Sequence, residues 1–256
     1  MTLQAGIDIA HDGTVMVLTI DRQEVRNALD PPALLAMAAA IDDATADPAT
    51  TAAVITSAGD RSFSSGMDLR ALRGGGPEVG EAVRRWDGVI RSPDRLPVVA
   101  AVAANAVGGG FELMLKCDLA VAADDIVFSL PEVGRGMVPG GGATLLPARI
   151  PLAIALELGI VGEPMDVLRA YQLGLVNRVV PRADVLPTAV ALAKRIGENA
   201  PLAVAATRRL MWQTFEHGAA TSWSHLQDGR RDPGRAAESA EGLAAFAEKR
   251  KPVWTP

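Results

Sequence analysis

Residues 97–123 read PVVAAVAANAVGGGFELMLKCDLAVAA, and this stretch decides the fold class. The small and β-branched residues at 97–104 and 119–123 predict two short buried strands. Between them lie three consecutive glycines, then Glu112 within a run of long apolar residues. A strand, a glycine turn, a helix and a second strand in succession predict an α/β fold.

The same alternation extends on both sides of this stretch. Residues 14–20, 52–57 and 126–129 are further predicted strands, because each is short, apolar and rich in β-branched residues. Asp30 followed by Pro31 predicts a helix start, with the aspartate as cap and the proline at the first helical position.

The chain changes character from about Pro147, where alanine, leucine, glutamate and arginine recur at helical spacing. Residues 201–215 predict its clearest amphipathic helix. The glycine-rich stretch 74–80 predicts a mobile surface loop and not a domain boundary. We expect a core over 1–195 and a helical region over 196–256 within one overall domain.

Composition excludes several classes of protein. A chain of 256 residues buries enough surface to need no disulfides, and its single cysteine, Cys117, excludes a disulfide framework. The net charge of −5 argues against general nucleic-acid binding. The first residues lack a signal-peptide pattern, and the apolar run at 98–104 is far too short to span a membrane. We therefore expect a soluble protein of the cytoplasm with no membrane partner.

Three segments join glycine to an acidic residue soon after a predicted strand: FSSGMDL at 63–69, VGGGFEL at 107–113 and SLPEVGRGMVPGGG at 129–142. Glycines at such a turn let a ligand approach the backbone, and free amides at a helix N-terminus favour negative charge. Alternatively, the glycines only permit tight packing, and Glu112 is an ordinary first-turn acid. Three such turns, each with a carboxylate, favour a ligand site.

Several motifs that would indicate other functions are absent from the sequence. The glycine turns match neither the dinucleotide-binding G-x-G-x-x-G pattern nor the phosphate-binding loop of nucleotide hydrolases. No G-x-S-x-G nucleophile motif is present. His11, His217 and His225 lie outside the three segments, so we expect ordinary surface or packing roles for them. Cys117 is expected to be a small buried hydrophobic residue.

The motifs resemble those of one known family. EVRNALD, FSSGMDL, GGGFELMLKCDLAVAADD, FSLPEVGRGMVPGGG and GLVNRVV occur in the order and spacing of the crotonase (enoyl-CoA hydratase/isomerase) superfamily. The resemblance runs from about residue 14 to the end of the chain and is closest to enoyl-CoA hydratase and carnitinyl-CoA dehydratase-like members. It implies the crotonase spiral of ββα units with a helical C-terminal trimerisation region.

The resemblance also implies a mechanism. Family members bind an acyl-CoA thioester and stabilise its enolate oxygen with two backbone amides, which match Met67 and Gly109 here. Two glutamates of the hydratases match Glu112 and Glu132, and together such carboxylates can move the protons of hydration. Isomerases of the family often keep only one of the two acids. Which glutamate is the acid and which the base stays open from sequence.

The resemblance implies further contacts with CoA and substrate. We expect them from Arg26, Ala28, Ser64, Ser65, Asp68, Leu69, Gly108, Pro131 and Gly140. A local backbone hydrogen bond is the more favoured role for Asp68, and Arg26 is equally consistent with an exposed, unbound arginine. The C-terminal segment adds weaker candidates, for which a solvated tail is the alternative: Phe246, Lys249 and Lys251.

We therefore predict an enoyl-CoA hydratase, acting in either direction, with no permanently bound cofactor and no metal, and with CoA as part of the substrate. The alternatives are a double-bond isomerase and an acyl-CoA-binding protein without catalysis. The resemblance implies a homo-oligomer, either a trimer or a dimer of trimers.

Overall fold

The structure is a computed structural model that describes residues 5–74, 76–218 and 233–254. The strands of this part of the chain are β1 (Ile7–Asp12), β2 (Val15–Ile20), β3 (Ala52–Ser57), β4 (Val98–Val102), β5 (Ala106–Val107), β6 (Leu119–Ala123), β7 (Val127–Ser129), β8 (Met165–Asp166) and β9 (Arg178–Val180).

Its α-helices are α1 (Pro31–Ala46), α2 (Leu69–Gly74), α3 (Pro77–Ile90), α4 (Gly109–Lys116), α5 (Gly140–Arg149), α6 (Leu152–Leu156), α7 (Val167–Gln172), α8 (Val185–Gly197), α9 (Pro201–His217) and α10 (Pro233–Glu248). Short 3-10 helices span Gln23–Val25, Glu132–Arg135 and Arg182–Asp184, and a π-helical turn spans Glu157–Val161.

The main sheet has six strands in the order β1-β2-β3-β4-β6-β9. β1 pairs antiparallel with β2, and every later pair is parallel. Because β3 and β4 are parallel, the segments that follow them leave the sheet at the same edge. A second sheet consists of β5, β7 and β8, and Ala106 of β5 forms a β-bridge with Ser64 in the segment after β3. The three glycine-containing segments are thereby brought to one side of the molecule.

Most predicted elements are confirmed. β2, β3, β4, β6 and β7 occupy the predicted strand positions, and α9 occupies the predicted amphipathic helix. Asp30 caps α1 as expected, because its Oδ1 accepts a hydrogen bond of 3.0 Å from the Ala33 amide. β1 was not predicted from the sequence, and neither was the pairing of β9, within the helical last third, with the main sheet.

The prediction of a loop over 74–80 is wrong for most of that stretch, because α3 begins at Pro77. Proline is favoured at the first helical position, and Glu78 in the first turn complements the helix dipole. Val79 and Trp86 are buried on one face of α3, so tertiary packing outweighs the helix-weakening effect of Gly80.

The residues expected to have no catalytic role behave as predicted where the structure describes them. Cys117 is buried, and burial raises its pKa to about 12. His11 and His217 are exposed, whereas His225 lies outside the described residues.

No helix in the described ranges is long and apolar enough to cross a membrane. The same ranges contain no cluster of three or more histidine, cysteine or acidic side chains suited to a metal ion.

Candidate active site

The segment after β3 is held in place by Ser64. The Ser64 side chain is fully buried; its hydroxyl donates to the Asn27 carbonyl oxygen at 2.8 Å and accepts from the Gly66 amide at 3.1 Å. Both hydrogen bonds of the hydroxyl are internal, and contact of Ser64 with CoA or substrate stays a prediction. Ser64 shapes the turn that presents the next residues.

Two turns meet at Gly66 and Gly109. Gly66 has φ +86°, and a Cβ on it would lie 2.6 Å from the Gly109 nitrogen. A Cβ on Gly109 would in turn lie 3.4 Å from the Met67 nitrogen. The backbone amides of Met67 and Gly109 are thus neighbours. Neither amide has a hydrogen-bond acceptor among residues 5–74, 76–218 and 233–254.

The remaining glycines of the run are required by backbone geometry. Gly108 has φ 57° and ψ −129°, a conformation that residues with a side chain rarely adopt. Its amide donates to the Ser129 carbonyl oxygen at 2.8 Å, which ties the turn to the end of β7. Any Cβ on Gly110 would collide with the Ser64 carbonyl oxygen. The turn therefore exposes the first amide of α4 at a place where no side chain blocks it.

The two glutamates lie beside this turn. Glu132 begins the 3-10 helix after β7, and its Oε1 lies 2.7 Å from where a Cβ of Gly108 would be. Glu112 lies in the first turn of α4, and its Oε1 accepts a hydrogen bond of 2.9 Å from the Gly142 amide near the start of α5. The structure thus brings together Met67, Gly109 and both carboxylates, as the sequence predicts.

The surroundings of the two carboxylates differ. Burial raises the pKa of Glu132, and the nearby charge of Glu112 raises it further, against lowering contributions from its own amide and from Arg135. The buried Oε2 of Glu132 has no hydrogen-bond partner within the described part of the chain. Glu112 instead accepts a hydrogen bond from a backbone amide near the N-terminus of α5.

The other residues predicted from sequence lie around these turns. Asp68 accepts a hydrogen bond of 2.8 Å from the Arg70 amide, which is the local role favoured for it. The Ser65 amide donates to the Arg26 carbonyl oxygen, and the Arg26 side chain is exposed. Leu69 is 48% exposed. Three further predicted positions are Ala28, which is buried, Pro131, which precedes Glu132, and Gly140, which begins α5.

The C-terminal candidates lie apart from these turns in the described contacts. Phe246 on α10 is 85% exposed, and Lys249 and Lys251 follow that helix as exposed residues. Neither lysine forms an ion pair with any other described residue. Their contact with CoA stays a prediction.

Two residues of the site were missed by sequence reasoning. The Gly142 amide donates a hydrogen bond to Glu112, whereas only Gly140 of that glycine run was predicted to contact CoA or substrate. Asn27 is buried and has positive φ; its Nδ2 donates to the carbonyl oxygens of Ala58 and Ser62. These bonds fix the turn that receives the Ser64 hydroxyl. The sequence signal for this turn was the asparagine of the EVRNALD motif, since asparagine adopts a positive φ more readily than most residues.

Comparison with known proteins identifies the family. The family profile described as enoyl-CoA hydratase/isomerase matches residues 10–256. A carnitinyl-CoA dehydratase of Escherichia coli O157:H7 is 36% identical over 260 residues, covering 98% of this chain and 99% of the relative.

Solved structures agree with that match. The enoyl-CoA hydratase of Mycobacterium tuberculosis H37Rv superposes with a TM-score of 0.87 at 36% identity, covering 98% of both chains. An enoyl-CoA hydratase subunit of Geobacillus kaustophilus HTA426 superposes with a TM-score of 0.91 at 31% identity, covering 99% of both chains. The chain therefore has the crotonase fold and belongs to the enoyl-CoA hydratase/isomerase family.

Proposed function

We propose that this protein is a lyase that adds water across the C2–C3 double bond of a 2-enoyl-CoA thioester, or eliminates it in the reverse direction. The observation that carries the proposal is the position of Glu112 and Glu132 beside a turn that presents an unpaired amide at Gly109. The names of the similar carnitinyl-CoA dehydratase and enoyl-CoA hydratases support the same reaction class.

The two free amides act on the thioester oxygen. When water attacks C3, negative charge moves through C2 to this oxygen, and the Met67 and Gly109 N–H groups donate to it. Because both donors are fixed by backbone contacts, they need no reorganisation as the charge develops. Loss of one such donor typically costs about 3–4 kcal/mol of transition-state stabilisation.

We propose different roles for the two glutamates because their surroundings differ. Glu112, held by the Gly142 amide, is the base that removes a proton from the attacking water. Glu132, whose pKa is raised mainly by burial, carries the proton that is delivered to C2. The O–H bond of water breaks as the C3–O bond forms, and the electrons of the enolate take the Glu132 proton. Elimination reverses both transfers.

The CoA part of the substrate is proposed to lie along the turns at 24–29 and 63–69. Arg26 supports this placement, because its side chain is exposed and forms no ion pair with a described residue. No cofactor beyond the CoA of the substrate is needed by the proposed steps.

We also propose a homo-oligomer, for which the exposed Leu152, Leu156 and Ile160 provide an apolar surface.

The test is turnover of crotonyl-CoA, followed by loss of the enoyl thioester's ultraviolet absorbance and by chromatography of the 3-hydroxy product. Glu112→Gln and Glu132→Gln should each lower kcat by about a hundredfold or more. Glu163→Gln removes an exposed carboxylate outside the site and should leave kcat unchanged. Full activity in both active-site variants would overturn the proposal. Conversion of a 3-enoyl-CoA without any 3-hydroxy product would instead identify an isomerase.

A further inference from the structure

A cavity of about 610 Å³ lies between α9 and the residues that precede β4 and β6, and neither catalytic glutamate lines it. Its walls are mainly apolar and include Leu119, Ala203, Val204, Met211, Trp212 and Phe215. Ligand pockets of a few hundred Å³ with apolar walls and few polar groups are typical of small-molecule sites. The charges in this cavity indicate which molecule it suits.

All but one of the charged groups around the cavity already have partners. Asp118 accepts hydrogen bonds from Arg95, Arg208, the Trp212 indole and the Val98 amide. Arg208 also donates to two backbone carbonyl oxygens of the segment before β4. These groups therefore have little capacity left for a ligand.

Arg149, the last residue of α5, is the exception. Its guanidinium lies over the Trp212 ring at 5.2 Å from the centroid and over the Phe215 ring at 5.6 Å. It forms no hydrogen bond or ion pair with any residue in the described ranges. Burial lowers its pKa, and the nearby Cys117 and Asp118 oppose that lowering. Stacking fixes the plane of a guanidinium while leaving its N–H donors free at the edge. Burying a cation whose N–H donors have no acceptor is unfavourable. An anion or a water molecule is therefore expected to accept hydrogen bonds from these donors.

We propose that this cavity is a second ligand site that binds a monocarboxylate with an unbranched apolar chain, with Arg149 holding the carboxylate. The planar guanidinium suits the two oxygens of a carboxylate, and the apolar walls suit the chain. The proposal does not depend on the reaction catalysed at Glu112 and Glu132.

The experiment uses the full chain and decanoate as the probe, with calorimetry for affinity. The change in tryptophan fluorescence, compared with that of Trp212→Phe because the chain has four tryptophans, locates the ligand. Arg149→Gln should weaken decanoate binding by about tenfold to a hundredfold, because it removes the charged donors. Arg209→Gln, which removes an exposed arginine of α9 that pairs with Asp94, is the matched control and should leave affinity unchanged. Decanol should bind much more weakly than decanoate.

Ala203→Phe keeps the test decisive if Arg149→Gln does not fold, because it fills the cavity from the exposed side of α9. This variant should abolish decanoate binding while crotonyl-CoA turnover continues. Equal binding of decanoate by the wild type and Ala203→Phe would overturn the proposal, as would equal binding of decanol and decanoate. It would also be overturned if a solution assembly placed a second copy of the chain in the cavity.

Discussion

Gly66 and Gly109 approach each other so closely that a methyl group on Gly66 would lie 2.6 Å from the Gly109 nitrogen and 2.9 Å from its Cα. Both contacts are with backbone, which cannot rotate away as a side chain can. Since the Met67 amide follows Gly66 directly, the spacing of the two proposed oxyanion donors depends on this contact. The spacing of the two donors therefore depends on the glycine at 66 as much as on the glycine run at 108–110.

Gly66→Ala should therefore lower kcat for enoyl-CoA hydration by about a hundredfold to a thousandfold, the loss expected when one oxyanion donor is displaced. The positive φ of +86° adds strain to any side chain at this position. Steady-state kinetics with crotonyl-CoA measures the effect, and circular dichroism checks that the variant folds. Gly88→Ala on α3 is the control, because no atom lies within 4 Å of its added Cβ. Unchanged kcat in a folded Gly66→Ala protein would contradict the assignment.

Local patterns were sufficient to predict much of this arrangement. The strands at 52–57 and 119–123 are short apolar runs whose buried character is visible in composition alone. The family motifs then indicated Met67, Gly109 and the two glutamates, which the fold brings together.

Features that depend on residues far apart in the chain were not predictable from local patterns. The Gly142 amide meets Glu112 across 30 positions, and nothing local to either residue specifies that bond. Trp212 reaches Asp118 across 94 positions for the same reason. β1 was missed because its outer residues are polar and exposed, so its strand character comes from pairing with β2. The start of α3 was not predicted because the glycines around it have low helix propensity and favour a loop prediction.

The kcat for hydration should fall at high pH. It falls as Glu132, whose pKa is raised by burial, loses the proton needed at C2. Rates measured with saturating crotonyl-CoA across the pH range test this dependence. A rate that keeps rising with pH would contradict the acid role of Glu132.

Arg135 should influence the pH at which kcat falls. Its positive charge lowers the pKa of Glu132, so Arg135→Gln should shift the fall in kcat to higher pH. Arg169→Gln removes an exposed arginine that faces Glu157 and should leave the pH profile unchanged. A downward shift in Arg135→Gln would exclude Glu132 as the group that titrates there.

The same burial should make Glu132 a cost to stability at neutral pH. Because its pKa is raised in the folded state, the unfolded chain ionises more readily, and stability is lost as pH rises through the folded-state pKa. Glu132→Gln stays neutral and avoids this loss. Its melting temperature should therefore exceed that of the wild type at about pH 8, and the difference should vanish near pH 4. Thermal unfolding followed by circular dichroism, without substrate, measures it. A variant less stable than the wild type at the higher pH would contradict the prediction.

The anchoring of α9 to the core should depend on Asp118. This carboxylate pairs with Arg95 and Arg208, and burial lowers the pKa of Arg208. Burial alone would raise the pKa of Asp118, but the charges of the two arginines hold it below its usual value. Asp118→Ala would leave two buried guanidinium groups without their anion, at a cost of about 3–5 kcal/mol in the free energy of unfolding.

Asp94→Ala is the matched comparison for this prediction. It breaks an ion pair between the same two parts of the chain, but both partners, Asp94 and Arg209, are exposed. The expected loss is below about 1 kcal/mol. Urea unfolding of both variants at neutral pH gives the two values. Because the folded-state pKa of Asp118 is lowered, its contribution is lost as pH falls through that pKa, so the gap between the two variants should narrow in acid. Equal losses at neutral pH would mean that the buried network does not anchor α9.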